Sequence, residues 1–233
     1  MKNIKILVPA LLISLLAASC SDYVTQVDPL IDQVESGKLN KESEVPFLIK
    51  GVQTKFAQAI DQIEVNAECL SDAFDFNLAV PGATYPQFDE INSGYIPLSN
   101  TNVSAAFDPL GELRYLADDL IERADKYIVF ADTTVKKEAL FTGYFYGGIA
   151  RYLYASYFGL TPAQGGGVIN NSAFIPSDNM YSLAAEYLAK ALKNTSNETA
   201  ARTVNSLLAK IWLYKGDYTQ ARSFALKGMS NIH

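Results

Sequence analysis

Residues 139–160 read ALFTGYFYGGIARYLYASYFGL, and Arg151 is the only charged residue among them. The run is long enough to cross a bilayer, for which about 20 apolar residues suffice. A transmembrane helix is nevertheless disfavoured, because its tyrosine hydroxyls would need partners and its arginine would cost roughly 3 kcal/mol at the bilayer centre. A helix that is apolar on all sides also suits the centre of a helical protein. We therefore predict a buried helix, in which Arg151 is either a ligand contact or, as we favour, paired with an acid.

Apolar residues at helical spacing predict five further helices around this central one. Asp108 and Pro109 suit the N-cap and first turn of the second helix. The polar group Asp132-Thr133-Thr134 offers a cap for the third helix, and Ser177 is placed to cap the fourth. Asp217 and Gln220 have capping-box spacing at the start of the sixth. No segment alternates as a strand would. The predicted helices span approximately residues 45–71, 108–130, 133–159, 178–194, 197–215 and 217–228.

Two long loops separate these helices, at residues 72–101 and 161–177. The first contains three prolines, two glycines and five aromatic residues. A loop of this length in a compact domain is usually functional or disordered, and the aromatics favour order. The second contains Gly165-Gly166-Gly167, which we interpret as a flexible turn because no Gly-Lys-Ser/Thr follows it.

The amino terminus has the features of a lipoprotein signal peptide. Two lysines precede an apolar run over residues 6–16, and three small residues follow it. The sequence Leu-Ala-Ala-Ser-Cys resembles the bacterial lipobox, in which the cysteine thiol receives a diacylglyceryl group. We predict a signal peptide over residues 1–19, lipid attachment at Cys20 and a tether over residues 20–40. The alternative is an ordinary secretory peptide with a chance cysteine.

Composition argues against several classes of function. The net charge of −6 disfavours binding to nucleic acid. His233 is the only histidine and the last residue, so a Ser-His-Asp or Cys-His mechanism lacks a base. With Cys20 lipidated, Cys69 has no partner for a disulfide or a cysteine metal site. We predict no enzymatic activity, no metal and no cofactor.

Glycoside hydrolysis is the enzymatic alternative that the residues leave open, because it requires only a pair of carboxylates. The first loop contains several acids, but their proximity in sequence does not set the separation that catalysis needs. Solvated loop acids are the simpler interpretation. The acids concerned are Asp72, Asp75, Asp89 and Glu90.

The final helix pair carries a repeat signature. It reads Leu208-Ala209, then Trp212, then Gly216-Asp217-Tyr218, then Ala221. This spacing resembles the tetratricopeptide pattern, in which small residues mark the contact between two antiparallel helices. We therefore predict an all-α fold of tetratricopeptide-like antiparallel helix pairs, an α-α superhelix with long loop insertions. Insertions in repeat proteins map to one face, often a binding face.

The order of these motifs resembles the SusD/RagB outer-membrane lipoproteins of Bacteroidetes. After the lipobox, Ile149-Ala150-Arg151-Tyr152-Leu153 leads to Tyr157-Phe158-Gly159 and Pro162. The closing stretch AKIWLYKGDYTQA then follows. The resemblance assigns residues 41–233 to the N-terminal helical repeat domain of that family. Family members are usually about twice as long, which implies either a fragment or a shortened member.

The resemblance implies a lipid-anchored outer-membrane protein, exposed at the cell surface and active in nutrient uptake. Such a protein would bind a glycan or another nutrient and deliver it to a SusC-like TonB-dependent transporter. The alternative is an interaction scaffold, or a non-functional truncated member, that contacts the transporter without binding sugar itself.

The residues of the first loop suggest where a glycan would bind. Tyr85 and Tyr95 offer flat apolar faces to sugar rings, and Asn92 and Asn100 are the predicted hydrogen-bond partners. The alternative is that the loop aromatics hold their own loop against the helices, which we favour for Phe88.

Overall fold

The computed structural model describes residues 34–83, 85–159 and 173–229. The chain divides into two units, residues 1–39 and 40–233. In the first unit the structure describes residues 34–39, which contain one turn of 3-10 helix, Ser36–Leu39. The predicted signal peptide, the lipid-attachment cysteine, the three consecutive glycines and the single histidine lie outside the described residues.

Seven α-helices and no strand lie in the described residues, so the predicted all-α class is confirmed. A 3-10 turn, Glu42–Glu44, precedes the first of them, and a π-helical turn, Arg123–Tyr127, follows the third. The helices are α1 (Val45–Leu70), α2 (Gln87–Asn92), α3 (Thr101–Glu122), α4 (Thr133–Tyr157), α5 (Ser177–Lys193), α6 (Glu198–Tyr214) and α7 (Tyr218–Gly228).

The long helices pack as three successive antiparallel pairs. These pairs are α1 with α3, α4 with α5, and α6 with α7. The pairs stack because α4 also contacts α1 and α3, while α5 contacts α6. This arrangement is the predicted tetratricopeptide-like stack, and the long connection between α1 and α3 is the first of its predicted insertions.

Helix α4 lies at the centre of the stack, as predicted from its apolar composition. Two of its glycines allow neighbouring helices to approach closely. A Cβ atom on Gly143 would lie 2.6 Å from Ile121 Cγ1 of α3, and one on Gly148 would lie 2.9 Å from Leu188 Cγ of α5. Within the ranges that the structure describes, no helix combines the length and apolar character needed to span a membrane.

Arg151 is buried and paired with an acid, which confirms the interpretation that we favoured. It is 2% exposed. Its Nη2 donates to Asp118 Oδ2 at 2.9 Å and to the Tyr187 hydroxyl at 3.0 Å, while Nη1 donates to the Gly147 carbonyl at 3.0 Å. The guanidinium also lies 3.8 Å from the centre of the Tyr187 ring. Arg114 donates to the same Asp118 oxygen at 3.2 Å, so two arginines share one carboxylate.

The second long helix begins much earlier than predicted. Helix α3 starts at Thr101, so Asp108 is not its N-cap and Pro109 lies inside it. The prediction used the preference of proline for a first helical turn. Tertiary packing outweighs that preference here, because Ala106 and Leu110 on either side of the proline are 1% and 0% exposed. The free energy gained by burying this face of the helix offsets the loss of the hydrogen bond that proline cannot donate.

The predicted cap at Ser177 is also wrong. Pro176 precedes α5 at the N-cap position, and Ser177 is the first helical residue. The Ser177 side chain instead turns towards the end of α4. A Cβ atom on Gly159 would clash with Ser177 Oγ, so this hydroxyl occupies the space that a larger residue at position 159 would need.

The N-caps predicted at Asp132 and Asp217 are confirmed, but the capping box predicted for Asp217 and Gln220 is wrong. Asp132 accepts a hydrogen bond from the Thr134 backbone N–H at 2.7 Å at the start of α4. Asp217 accepts one from the Gln220 backbone N–H at 2.9 Å at the start of α7. The backbone N–H of Asp217 donates to the Trp212 carbonyl, so the reciprocal bond of a capping box is not formed.

The repeat signature at the α6–α7 contact has its expected geometry. Leu208 and Ala221 are 2% and 8% exposed, and the helices α6 and α7 that carry them pack against each other. Gly216 has a φ of +77°, and this left-handed conformation allows the tight turn between them. The signature therefore describes a helix hairpin, as the sequence indicated.

Candidate functional site

Residues 71–100 connect α1 to α3, and we refer to them as the insertion. The predicted loop in fact contains a short helix, α2. Helix α2 packs against α1, and its Ile91 is 1% exposed. Ile63 of α1, Ile91 and Phe158 line part of a small apolar cavity of about 150 Å³ beneath it. The insertion is therefore anchored to the helix stack by its own apolar side chains.

Asn100 fastens the insertion to the start of α3. Its side-chain oxygen accepts from the backbone N–H groups of Asn102 and Val103 at 3.0 and 3.4 Å. Its Nδ2 donates to the Gln87 carbonyl at 2.9 Å and to Glu90 Oε2 at 2.8 Å. The residue is 2% exposed. Because both donors and both lone pairs of this amide have protein partners, its geometry favours a structural role over contact with a ligand.

The other predicted ligand-binding residues lie at the surface of the insertion. Tyr85 and Tyr95 flank α2 and are 64% and 76% exposed. Tyr85 lies two residues before α2 and Tyr95 lies three residues after it, and a helix of six residues is about 9 Å long. Asn92, the last residue of α2, is half-buried and donates to Asp75 Oδ1 at 3.3 Å. Among the described residues, no hydrogen bond or ring contact joins Tyr85, Asn92 and Tyr95 directly.

Phe88 contacts other aromatic rings of the insertion, whereas the role that we favoured for it was to hold the loop against the helices. Its ring centre lies 6.0 Å from that of Phe76 and 6.2 Å from that of Tyr85. The side chain is half-buried. This aromatic cluster orders the segment that carries the exposed Tyr85 ring.

The acids of the insertion have structural partners or face solvent. Asp75 and Glu90 accept the hydrogen bonds from Asn92 and Asn100, and Asp72 is exposed with a φ of +58°. In the part of the chain that the structure describes, no group of three or more His, Cys, Asp or Glu side chains is placed to hold a metal ion.

Sequence reasoning missed the exposed aliphatic residues of the insertion. Leu98 is fully exposed, and Leu78 and Val80 are 53% and 55% exposed. In a segment without regular periodicity, the sequence contains no signal that distinguishes an outward leucine from an anchoring one. The surface of the insertion therefore exposes aliphatic side chains in addition to the aromatic and amide side chains that the sequence indicated.

Comparison with known proteins supports the fold through structural similarity. No protein-family model and no curated protein matches the chain. The chain is similar in structure to a crystal structure of a SusD superfamily protein from Bacteroides thetaiotaomicron VPI-5482, with a TM-score of 0.65 and 14% sequence identity. The match covers 82% of this chain and 46% of that one.

The fold thus defines a class: a helical repeat protein with a long insertion in its first helix pair. The resemblance to the SusD superfamily that the motifs indicated is confirmed at the level of this fold. The matched region is less than half the length of that protein.

Proposed function

We propose that this protein is a SusD-like outer-membrane lipoprotein that captures a glycan or another nutrient and delivers it to a SusC-like TonB-dependent transporter. The observation that carries the proposal is a pair of exposed tyrosines, Tyr85 and Tyr95, flanking a short helix on an anchored insertion of a SusD-type fold. Aromatic faces beside polar groups suit the alternating apolar and hydroxyl surfaces of sugars. In this proposal the protein binds its ligand and does not catalyse a reaction.

The membrane anchor in this proposal is lipid on Cys20. Its basis is the lipobox-like sequence that ends a short apolar run. More than one acyl chain is needed for durable anchoring, because a single chain binds membranes only marginally. Cells fed radioactive palmitate should label the wild-type protein and not the Cys20→Ala variant. The variant Cys69→Ala, which removes the other cysteine, should label like wild type, and equal labelling of all three proteins would contradict the proposal.

We expect weak oligosaccharide binding that depends on the two exposed tyrosines. One sugar on one aromatic ring contributes on the order of 1 kcal/mol beyond area burial, by analogy with aromatic pairs. A dissociation constant near millimolar, or about 4 kcal/mol of binding free energy, is therefore expected. Calorimetry with an oligosaccharide panel should show that Tyr95→Ala weakens binding about fivefold and that adding Tyr85→Ala weakens it further.

Tyr218 supplies the matched control for this experiment. It is 71% exposed and lies at the start of α7, outside the insertion. Tyr218→Ala should leave glycan binding unchanged. An equal loss in Tyr218→Ala and Tyr95→Ala, or binding that survives in the Tyr85→Ala/Tyr95→Ala double variant, would place the sugar elsewhere.

The second candidate function is an interaction scaffold that contacts the transporter without binding sugar. The exposed aliphatic residues Leu78, Val80 and Leu98 favour it, because branched aliphatic groups lack the flat face on which a sugar stacks. Absence of glycan binding across the panel, together with co-purification of the transporter, would support the scaffold over nutrient capture.

A further inference from the structure

The end of the first helix pair that carries the insertion is rich in acidic residues. Between Lys55 and Arg114 the sequence contains nine Asp and Glu residues and no Lys, Arg or His. These residues come from the second half of α1, the insertion and the first half of α3. Because α1 and α3 pack side by side and the insertion joins them, all three segments meet at one end of the pair. We call this region the acidic end.

Little within the described structure neutralises this charge. Of the nine acids, only Glu112 forms an ion pair among the described residues, with Lys55 at the boundary of the region. Asp75 and Glu90 accept hydrogen bonds from asparagine amides, which carry no charge. Five acids without an ion pair there are exposed to solvent: Asp61, Glu64, Asp72, Asp75 and Asp108.

The acidic end also exposes large apolar side chains. Leu98 is fully exposed, and Tyr95 is 76% exposed. Contiguous exposed apolar surface with a polar rim is typical of a protein–protein contact. The exposed apolar residues of this end are Leu70, Phe74, Leu78, Val80, Tyr85, Tyr95, Ile96 and Leu98.

We propose that the acidic end is a docking surface for a basic segment of a partner protein, in which Lys or Arg side chains alternate with apolar ones. We favour a basic partner because of charge complementarity. Lys or Arg side chains opposite the carboxylates lower the free-energy cost of removing these carboxylates from water. A second copy of the same surface would bring nine acids against nine, and such like-charge contacts cost several kcal/mol. Nucleic acid and anionic lipid are excluded by the same repulsion.

Docking of a basic segment at the acidic end does not depend on glycan binding. Arg and Lys also pack over aromatic faces, so exposed Tyr85 and Tyr95 suit a cationic segment as well. Attraction between exposed charges is screened over about 8 Å at physiological ionic strength. Binding through this surface therefore weakens as salt is added, whereas stacking of a neutral sugar responds little.

The test uses the purified protein and a fluorescent peptide that alternates lysine with leucine. Fluorescence anisotropy should show binding of this peptide and none of its counterpart with glutamate in place of lysine. Raising the salt from about 50 to 500 mM, which shortens the screening length more than threefold, should weaken binding at least tenfold.

Charge variants locate the contact. The triple variant Glu64→Gln/Asp72→Asn/Asp75→Asn should weaken peptide binding about tenfold, because exposed charge pairs contribute up to about 1 kcal/mol each and partly add. The control Glu138→Gln/Glu186→Gln/Glu198→Gln makes the same change in net charge on exposed positions of α4, α5 and α6, and should bind like wild type. Leu78→Ser/Leu98→Ser should also weaken binding while leaving its salt dependence unchanged.

Three outcomes would overturn the inference. The first is no binding of the lysine peptide. The second is an equal loss of peptide binding in the two triple variants, which would show that binding depends on the overall net charge and not on the acidic end. The third is equal binding of the glutamate peptide. Because glycan binding is measured separately by calorimetry, failure here and failure of the proposed function are distinguishable.

Discussion

Asp118→Ala is expected to lower the free energy of unfolding by about 3 kcal/mol, since breaking a buried ion pair typically costs 3–5 kcal/mol. The lower end applies because the Asp118 side chain is 26% exposed, whereas that of Arg151 is 3% exposed. The alanine variant leaves Arg151 buried without its carboxylate and removes the partner of Arg114 as well. Urea unfolding monitored by circular dichroism measures the loss.

Replacing both members of this pair tests the cause of the loss. A variant with Asp118→Leu and Arg151→Met removes the buried guanidinium together with its carboxylate, and it leaves Arg114 without its partner just as Asp118→Ala does. Replacing a buried ion pair with apolar residues is often neutral or stabilising. We therefore expect the double variant to be more stable than Asp118→Ala. Glu198→Ala is the control, because its pair with Arg202 is exposed and such pairs contribute about 0–1 kcal/mol. Equal losses in Asp118→Ala and Glu198→Ala would contradict a buried pair.

Gly143→Ala and Gly51→Ala are expected to change stability in opposite directions. A Cβ atom on Gly143 would lie 2.6 Å from an Ile121 side-chain carbon and 2.9 Å from the Ala117 carbonyl oxygen. Overpacking of this kind costs about 1–3 kcal/mol. Because the second contact is with backbone, rotation of a side chain does not relieve it, and the α3–α4 contact must widen.

Gly51 lies in α1, where an added Cβ atom meets nothing within 4 Å. Alanine there should stabilise the protein by about 0.5–1 kcal/mol, since glycine loses more conformational freedom in a helix. The two variants make the same chemical change in two helices, so thermal unfolding isolates the effect of packing. Stabilisation by Gly143→Ala would contradict the close approach of α3 and α4, and destabilisation by Gly51→Ala would contradict the open space beside Gly51.

The central helix was predictable because its signal is local and strong. The run of 22 residues contains one charged residue, and small residues lie among large aromatic ones. Such a composition predicts a helix that is surrounded by other helices. The structure agrees, and it also identifies Asp118 as the partner of Arg151. That partner lies 33 residues away in the sequence, and several acids were possible candidates.

The start of α3 was not predictable in this way. Asn100 was interpreted as a ligand contact, and Asp108 with Pro109 as the helix start. In the structure Asn100 caps α3, and its amide group donates to residues 10 and 13 positions earlier. Those bonds exist only once α2 has packed onto α1, so local propensity at the proline gave the wrong boundary.

For this protein, the sequence alone determined the all-α class, the central position of α4, the repeat signature at the α6–α7 contact and the presence of an unusual insertion. These features follow from periodicity and from short-range chemistry that every helix must satisfy. Only the tertiary structure decided that Tyr85, Tyr95 and Leu98 face outward while Asn100 and Ile91 face inward. In an irregular segment rich in proline and glycine, no periodicity assigns side chains to a face. Their exposure depends on contacts with helices distant in the chain.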